Sequence, residues 1–161
     1  KAYSEYRAEL DSGKYEIENS YFSESGLGAV LFQKGHNYHR EEIDCAKILA
    51  DNGFVVTLQP EDGTGVSLKA GKNGGMSYPE GKVDMYWFEQ HTSNTSGDNT
   101  VYKGLQHAHE KGAEIAVIYD EGGFLHRNNI QNGIDRYNMV KFKTPKTIFK
   151  AIYPCLIPSV Y

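Results

Sequence analysis

An α+β domain, with helices packed on a central, twisted and largely antiparallel sheet, is what this sequence predicts, and three observations predict it. Residues 83–89 and 115–119 are rich in β-branched and aromatic side chains, the composition of strands. Residues 43–50 and 101–108 instead repeat their apolar positions at helical spacing, and each of these stretches runs into a glycine, Gly53 or Gly112. The chain has 161 residues, 39% of them hydrophobic and 24% charged, enough for one domain to bury a core and too apolar to stay disordered. No repeat or linker divides it, so residues 1–161 read as one domain, with an irregular entry over 1–35 and a core over 36–161.

In chain order, Tyr3, Tyr6, Leu10, Tyr15, Ile17, Tyr21 and Phe22 supply anchors in the entry segment, and residues 29–32 form a short strand. The first helix keeps Ile43, Ala46, Lys47, Leu49 and Ala50 in phase, and FVVTL (54–58) follows as a strand. The glycine-rich stretch 60–80 predicts a long loop or a poor hairpin. Residues 83–112 organise the rest: a strand from Val83, a polar run from Ser93 to Asn99, then a helix from Thr100. Its Val101, Leu105 and Ala108 share one face, and Lys103, His107 and Glu110 share another. Residues 115–119, IAVIY, predict a strand buried on both faces. Residues 128–137 predict a short helix and 139–142 a last strand. Thr144 with Pro145 behind it predicts the cap of a closing helix reaching about Tyr153.

Net charge is −4, which does not mark a nucleic-acid binder by itself. The distribution is uneven: residues 1–62 carry six Lys/Arg against twelve Asp/Glu, and residues 63–161 carry eleven against nine. Lys141, Lys143, Lys146 and Lys150 make a basic run read as a solvated face. No apolar run is long enough for a bilayer, so no membrane role is expected. The opening KAYSEYRAEL reads neither as a signal peptide nor as a native start, and an excised domain or processed product is expected. Cys45 and Cys155 read as two packing thiols, without the spacing of a zinc site.

The chemistry gathers in 83–112. Glu89 and His91, two apart on a strand, share a face, and a carboxylate beside an imidazole tunes it for proton transfer near neutrality. The hydroxyls of Thr92, Ser93, Thr95 and Ser96 crowd the strand end, where they and the amides opening the next helix suit a phosphate. Lys103 and His107, one helical turn apart, add an anion-stabilising cation and a second proton carrier. His109 is expected to face solvent. His36 and His39, ahead of Glu41 and Glu42, read as a capping cluster or a substrate contact rather than as metal ligands. Trp87, with Tyr86 or Phe88, offers a ring on which an unpaired base can stack.

The stretch EEIDCAKILADNGFVVTLQPE, followed by GKVDMYWFEQHTSNT and TVYKGLQHAHEKGAEIAVIY, resembles the C-terminal toxin domains of contact-dependent growth inhibition proteins, other polymorphic toxins and phage head-associated proteins. These are grouped with the barnase, EndoU, colicin and RelE-type ribonucleases. The resemblance spans roughly residues 36–137. It departs at Glu89-Gln90-His91, where members commonly carry Glu-x-Lys. It implies a toxin that is secreted or delivered from the producing cell, acts in the target-cell cytoplasm, cleaves RNA (tRNA foremost) and is held by a cognate immunity protein.

The expected mechanism needs no metal or cofactor. His91, held by Glu89, is the base, His107 is the acid, and Lys103 and Thr95 steady the phosphate; Thr92, Ser93, Ser96, His36, His39 and Trp87 contact substrate. Two alternatives stand beside it: a metal-dependent nuclease using Asp84 and Glu89, and a non-enzymatic module that binds a protein through its acidic first half.

Overall fold

The computed structural model describes residues 7 and 9–140, together with the backbone of two strands between 147 and 160. Strands β1 (Tyr21–Phe22), β2 (Ala29–Phe32), β3 (Val55–Leu58), β6 (Gly81–Val83), β7 (Tyr86–Thr92), β8 (Ile115–Tyr119), β9 (Thr147–Ile152) and β10 (Cys155–Val160) form one sheet in the order β1-β2-β3-β6-β7-β8-β9-β10. Helices α1 (Arg40–Asp51), α2 (Asp98–Lys111) and α3 (Arg127–Met139) pack on it, and β4 (Lys69–Ala70) with β5 (Met76–Ser77) makes a separate small hairpin. The sheet is mixed. Its antiparallel ladders are β1–β2, β3–β6, β6–β7 and β9–β10, and its parallel ones β2–β3, β7–β8 and β8–β9.

Each parallel ladder needs a crossover, and α1, α2 and α3 supply them. Strands β2, β3, β7, β8 and β9 therefore all end at the same edge of the sheet. Alternation along the strands separates two faces. Val30, Phe32, Val56, Leu58, Val83, Phe88, Val117 and Tyr119 pack under α1 with Cys45, Ala46, Ile48 and Leu49. On the other face Ala116 and Ile118 meet Val101, Leu105 and Ala108 of α2 and Ile134 and Tyr137 of α3. Leu10 and Tyr15 cover Ala29, Leu31 and Val55 on that same face. Between these two apolar patches the facing positions of β3, β6 and β7, with the residues that flank them, are polar or amphipathic: Thr57, Gln59, Glu80, Lys82, Trp87, Glu89 and His91. Glu89 and His91, two of the expected site residues, lie on that strip.

Several expectations are corrected. The strand read from Val83 is a hairpin: Asp84 takes a left-handed φ of 53°, its carboxylate accepts the Val55 amide at 3.0 Å, and the chain reverses before β7. A short polar side chain can hold that conformation, which is why the turn hides inside an apolar run. Met139 ends α3 and Val140 caps it, so no strand starts there; Lys141 and Phe142 lie outside the described residues. The closing helix is replaced by β9, because β8 leaves an edge that Thr147–Ile152 pairs in parallel, and β10 then pairs β9 antiparallel. Thr144, Pro145 and Tyr153 lie outside the described residues, as do Lys141, Lys143, Lys146 and the Lys150 and Cys155 side chains. Cys45 is a buried free thiol.

Candidate active site on the β7–α2 face

Helix α2 runs back along β7, so residues four apart on the helix meet residues two apart on the strand. Lys111, His107 and Lys103 make one stripe of α2, and Glu89 and His91 lie on the β7 face beneath it. Lys111 Nζ is 2.8 Å from Glu89 Oε1 and 3.2 Å from Glu61 Oε1. One helical turn away the His91 and His107 rings meet edge to face, their centroids 5.3 Å apart and their planes at 85°.

Gly104 makes that meeting possible. A Cβ there would lie 2.3 Å from Ile118 Cδ1 and 3.2 Å from His91 Cβ, so only a glycine lets α2 sit this close to the strand pair. Gly112, in the left-handed conformation (φ 76°), ends the helix and returns the chain to β8.

Burial of His91, with the charges of His107 and Lys103 added, lowers its pKa to about 4, so the imidazole is neutral at neutral pH. Glu89 is 4% exposed; burial raises its pKa to about 7 although Lys111 pulls it down. Lys111, in return, is held firmly protonated by Glu89 against its own burial. Extending the β6–β7 register by one pair sets Glu80 opposite Glu89, and burial followed by the Glu89 charge raises Glu80 to about 9. The two carboxyls titrate as a unit that keeps a proton at neutral pH. Two buried polar atoms lack a hydrogen-bond partner among the described residues, Glu89 Oε2 and His36 Nδ1.

The site opens into a cleft of about 530 Å³ whose lining includes Lys69, Lys72, His107, His109, Glu110 and Lys111. Its outer wall is the β4–β5 hairpin. Gln59 holds the root of that segment, donating to Val66 O and Pro79 O and accepting the Val66 amide. A second recess, of about 10 Å³, is lined by His36, Asn37, His39, Glu42, Gln59, Glu61 and Glu80.

Of the expected residues, His91, His107 and Lys103 are brought together. Glu89 shares their face, but its oxygen is engaged by Lys111; it does not hold His91. Ser93 is 1% exposed and donates to Thr95 O, so it shapes the loop and cannot contact substrate. Thr92 accepts from Gln90 Nε2, and the Thr95 hydroxyl is engaged with Thr100 Oγ1 and the Gly97 amide; Thr95 and Ser96 are exposed at the mouth of α2. Trp87 lies on the site's face under Lys82 Nζ, 4.8 Å from its ring centroid.

His36 is buried with Nε2 3.7 Å from Glu42, whereas His39 is exposed at the start of α1 with no side-chain capping bond, so the expected capping cluster does not form. His109 lines the cleft instead of facing open solvent, and Lys69 Nζ donates to its carbonyl. Asp84 sits in the β6–β7 turn, while Glu89 lies roughly 10 Å along β7 from the strand's first residue, so the two do not converge. Sequence reasoning missed Glu80, Gly104 and Lys111. The signal for Lys111 was its place on the Lys103–His107 stripe, and for Glu80 the hairpin turn that sets it against Glu89.

Among the described residues no group of three or more His, Cys, Asp or Glu side chains is arranged to hold a metal ion, and no helix is long and apolar enough to cross a membrane. Comparison of the chain with protein-family models, curated proteins and solved structures finds no match.

Proposed function

We propose that this domain is a metal-independent ribonuclease of the toxin type, acting on RNA and foremost on tRNA. The observation that carries the reading is the contact of a half-buried, neutral imidazole, His91, with an exposed one, His107, on a lysine-flanked helix stripe. RNA brings its own nucleophile, so two proton carriers and a cation suffice. His91 removes the proton of a ribose 2′-hydroxyl, and that oxygen forms a bond to the adjacent phosphorus. The bond from phosphorus to the 5′-oxygen breaks, and His107 supplies the proton that the leaving oxygen takes up. The products are a 2′,3′-cyclic phosphate and a 5′-hydroxyl end. Lys103 offsets the charge on the phosphoryl oxygens. Glu89 acts one step back, by fixing Lys111 beside His107.

The toxin role, delivery to a target cell and a cognate immunity protein rest on the sequence resemblance alone. The test is incubation of the domain with total RNA in EDTA, with His91→Ala and His107→Ala in parallel. Cleavage that survives chelation and is lost in both variants supports the mechanism; cleavage undiminished in either refutes it.

A second reading has its own observation. Glu80 faces Glu89, whose Oε2 is unpartnered among the described residues, and such a pair suits a divalent cation better than the separated Asp84 and Glu89. Activity abolished by EDTA, restored by magnesium and lost in Glu80→Gln favours that reading. A domain with neither activity that binds protein through its acidic first half is a binding module.

A further inference from the structure

The cleft beyond His107 has no part in the proton transfers, and its chemistry is distinctive for an acidic chain. Three lysines line it, Lys69, Lys72 and Lys111, with His107 and His109, and Glu110 is its one carboxylate among the described lining residues. Two of the lysines stand on the β4–β5 hairpin, and each makes a polar tie to α2. Lys69 Nζ donates to His109 O at 3.2 Å, and Lys72 Nζ pairs with Glu110 at 2.7 Å. The Lys72 side chain is 73% exposed, so that pair exchanges readily with solvent or with another anion. Lys111 is committed to Glu89 and Glu61 and is not available for exchange.

We infer that the β4–β5 hairpin is a phosphate clamp: Lys69 and Lys72 exchange the His109 carbonyl and Glu110 for phosphates of a single-stranded polynucleotide lying along the cleft, next to the phosphate held at His91 and His107. This inference rests on the ribonuclease reading and deepens it, since it makes the substrate a chain rather than a dinucleotide. Position supports it: His107 belongs to both the imidazole pair and the cleft wall, so a strand cut there must continue into the cleft or out past Lys103. Composition supports it too, because cationic side chains concentrate on this wall while the first 62 residues carry a net −6 (six against twelve).

Binding is measured by anisotropy with a labelled single-stranded 2′-O-methyl oligonucleotide, which cannot be cut, between about 50 and 200 mM salt. Cleavage of RNA and of a dinucleotide is measured alongside. In Lys69→Gln/Lys72→Gln the slope of log affinity against log salt should become shallower by about 1.4, at ~0.7 for each phosphate no longer neutralised. RNA cleavage should fall with it, and dinucleotide cleavage should not change. Glu110→Gln, which frees Lys72, should tighten binding, and Lys47→Gln, on α1 across the sheet, should leave the slope unchanged.

Wild-type protein that does not bind the oligonucleotide, or a double variant with an unaltered slope, overturns the clamp. Binding that follows this pattern in a protein that cuts nothing upholds the clamp and sinks the ribonuclease reading.

Discussion

Glu80→Gln is the sharpest probe of the acid pair, because the structure sets both its sign and its size. Glu80 is 7% exposed and sits opposite Glu89, and its pKa is raised from 4.5 to about 9. A carboxyl whose folded pKa lies above its unfolded one binds a proton on folding. Stability is then lost as pH rises from the unfolded value to the folded one. Between about pH 7.5 and 8.5 the unfolded carboxylates have already ionised, the unfolded histidines have mostly lost their protons, and Glu89 is mostly ionised. At about 1.4 kcal/mol per pH unit for one retained proton, the wild type should lose roughly 1–1.5 kcal/mol across that window. Glutamine keeps the shape and removes the proton, so the variant should be nearly flat there and more stable than wild type at the alkaline end. Urea denaturation at several pH values reads this as a shift in midpoint at constant m. A wild type whose stability is level or rises through the window, or a glutamine variant less stable than wild type at about pH 8.5, refutes the argument.

Other perturbations test other parts of the site. Lys111→Met strips Glu89 of its cation and should cost about 3 kcal/mol at pH 8, and less at pH 5 where Glu89 takes up a proton, as read by the same denaturation series. With burial lowering the His91 pKa to about 4, kcat/KM on RNA should hold down to that region on the acid side instead of falling near 6.5; a fall near 6.5 that persists in His91→Ala would show another group to be the base. Asp120 is fully buried and accepts the Phe124 and Leu125 amides, so Asp120→Ala should cost about 2 kcal/mol by orphaning them, visible as a lower Tm.

The elements that periodicity could reach were legible: α1, α2, α3, β3 and β8 fall where helical spacing or apolar runs place them. What escaped were features set by tertiary pairing. The β6–β7 turn rests on one left-handed aspartate, and nothing in an apolar run announces it. Strand β9 reads as a helix because Thr-Pro is a good local cap, while its actual state depends on the open edge of β8. At the site, spacing alone put His91 on the Glu89 face and His107 on the Lys103 face. The identity of each partner was invisible, since Glu89 meets Lys111, twenty-two positions along, and not its neighbour His91.

Gly104 shows how closely the site depends on packing that spacing cannot report. Glycine in a helix interior costs about 1 kcal/mol relative to alanine, so Gly104→Ala would stabilise α2 if propensity decided. Packing decides instead. The added carbon would sit 2.3 Å from Ile118 Cδ1, in a core where Ile118 is 1% exposed and cannot swing into solvent, so the helix must lift from β7 or Ile118 must leave its rotamer. Overpacking of this kind costs typically about 1–3 kcal/mol, which meets or exceeds the propensity gain. His91 Cβ on β7 lies 3.2 Å from the same carbon, so a helix that lifts from the strand would carry His107 away from the His91 ring and break their edge contact. The variant should therefore remain folded, with a stability change of about 1–2 kcal/mol at most, and lose most of its RNA cleavage. Full activity in a stable Gly104→Ala protein whose structure shows the two rings parted would mean that the imidazole contact is not what cuts the chain.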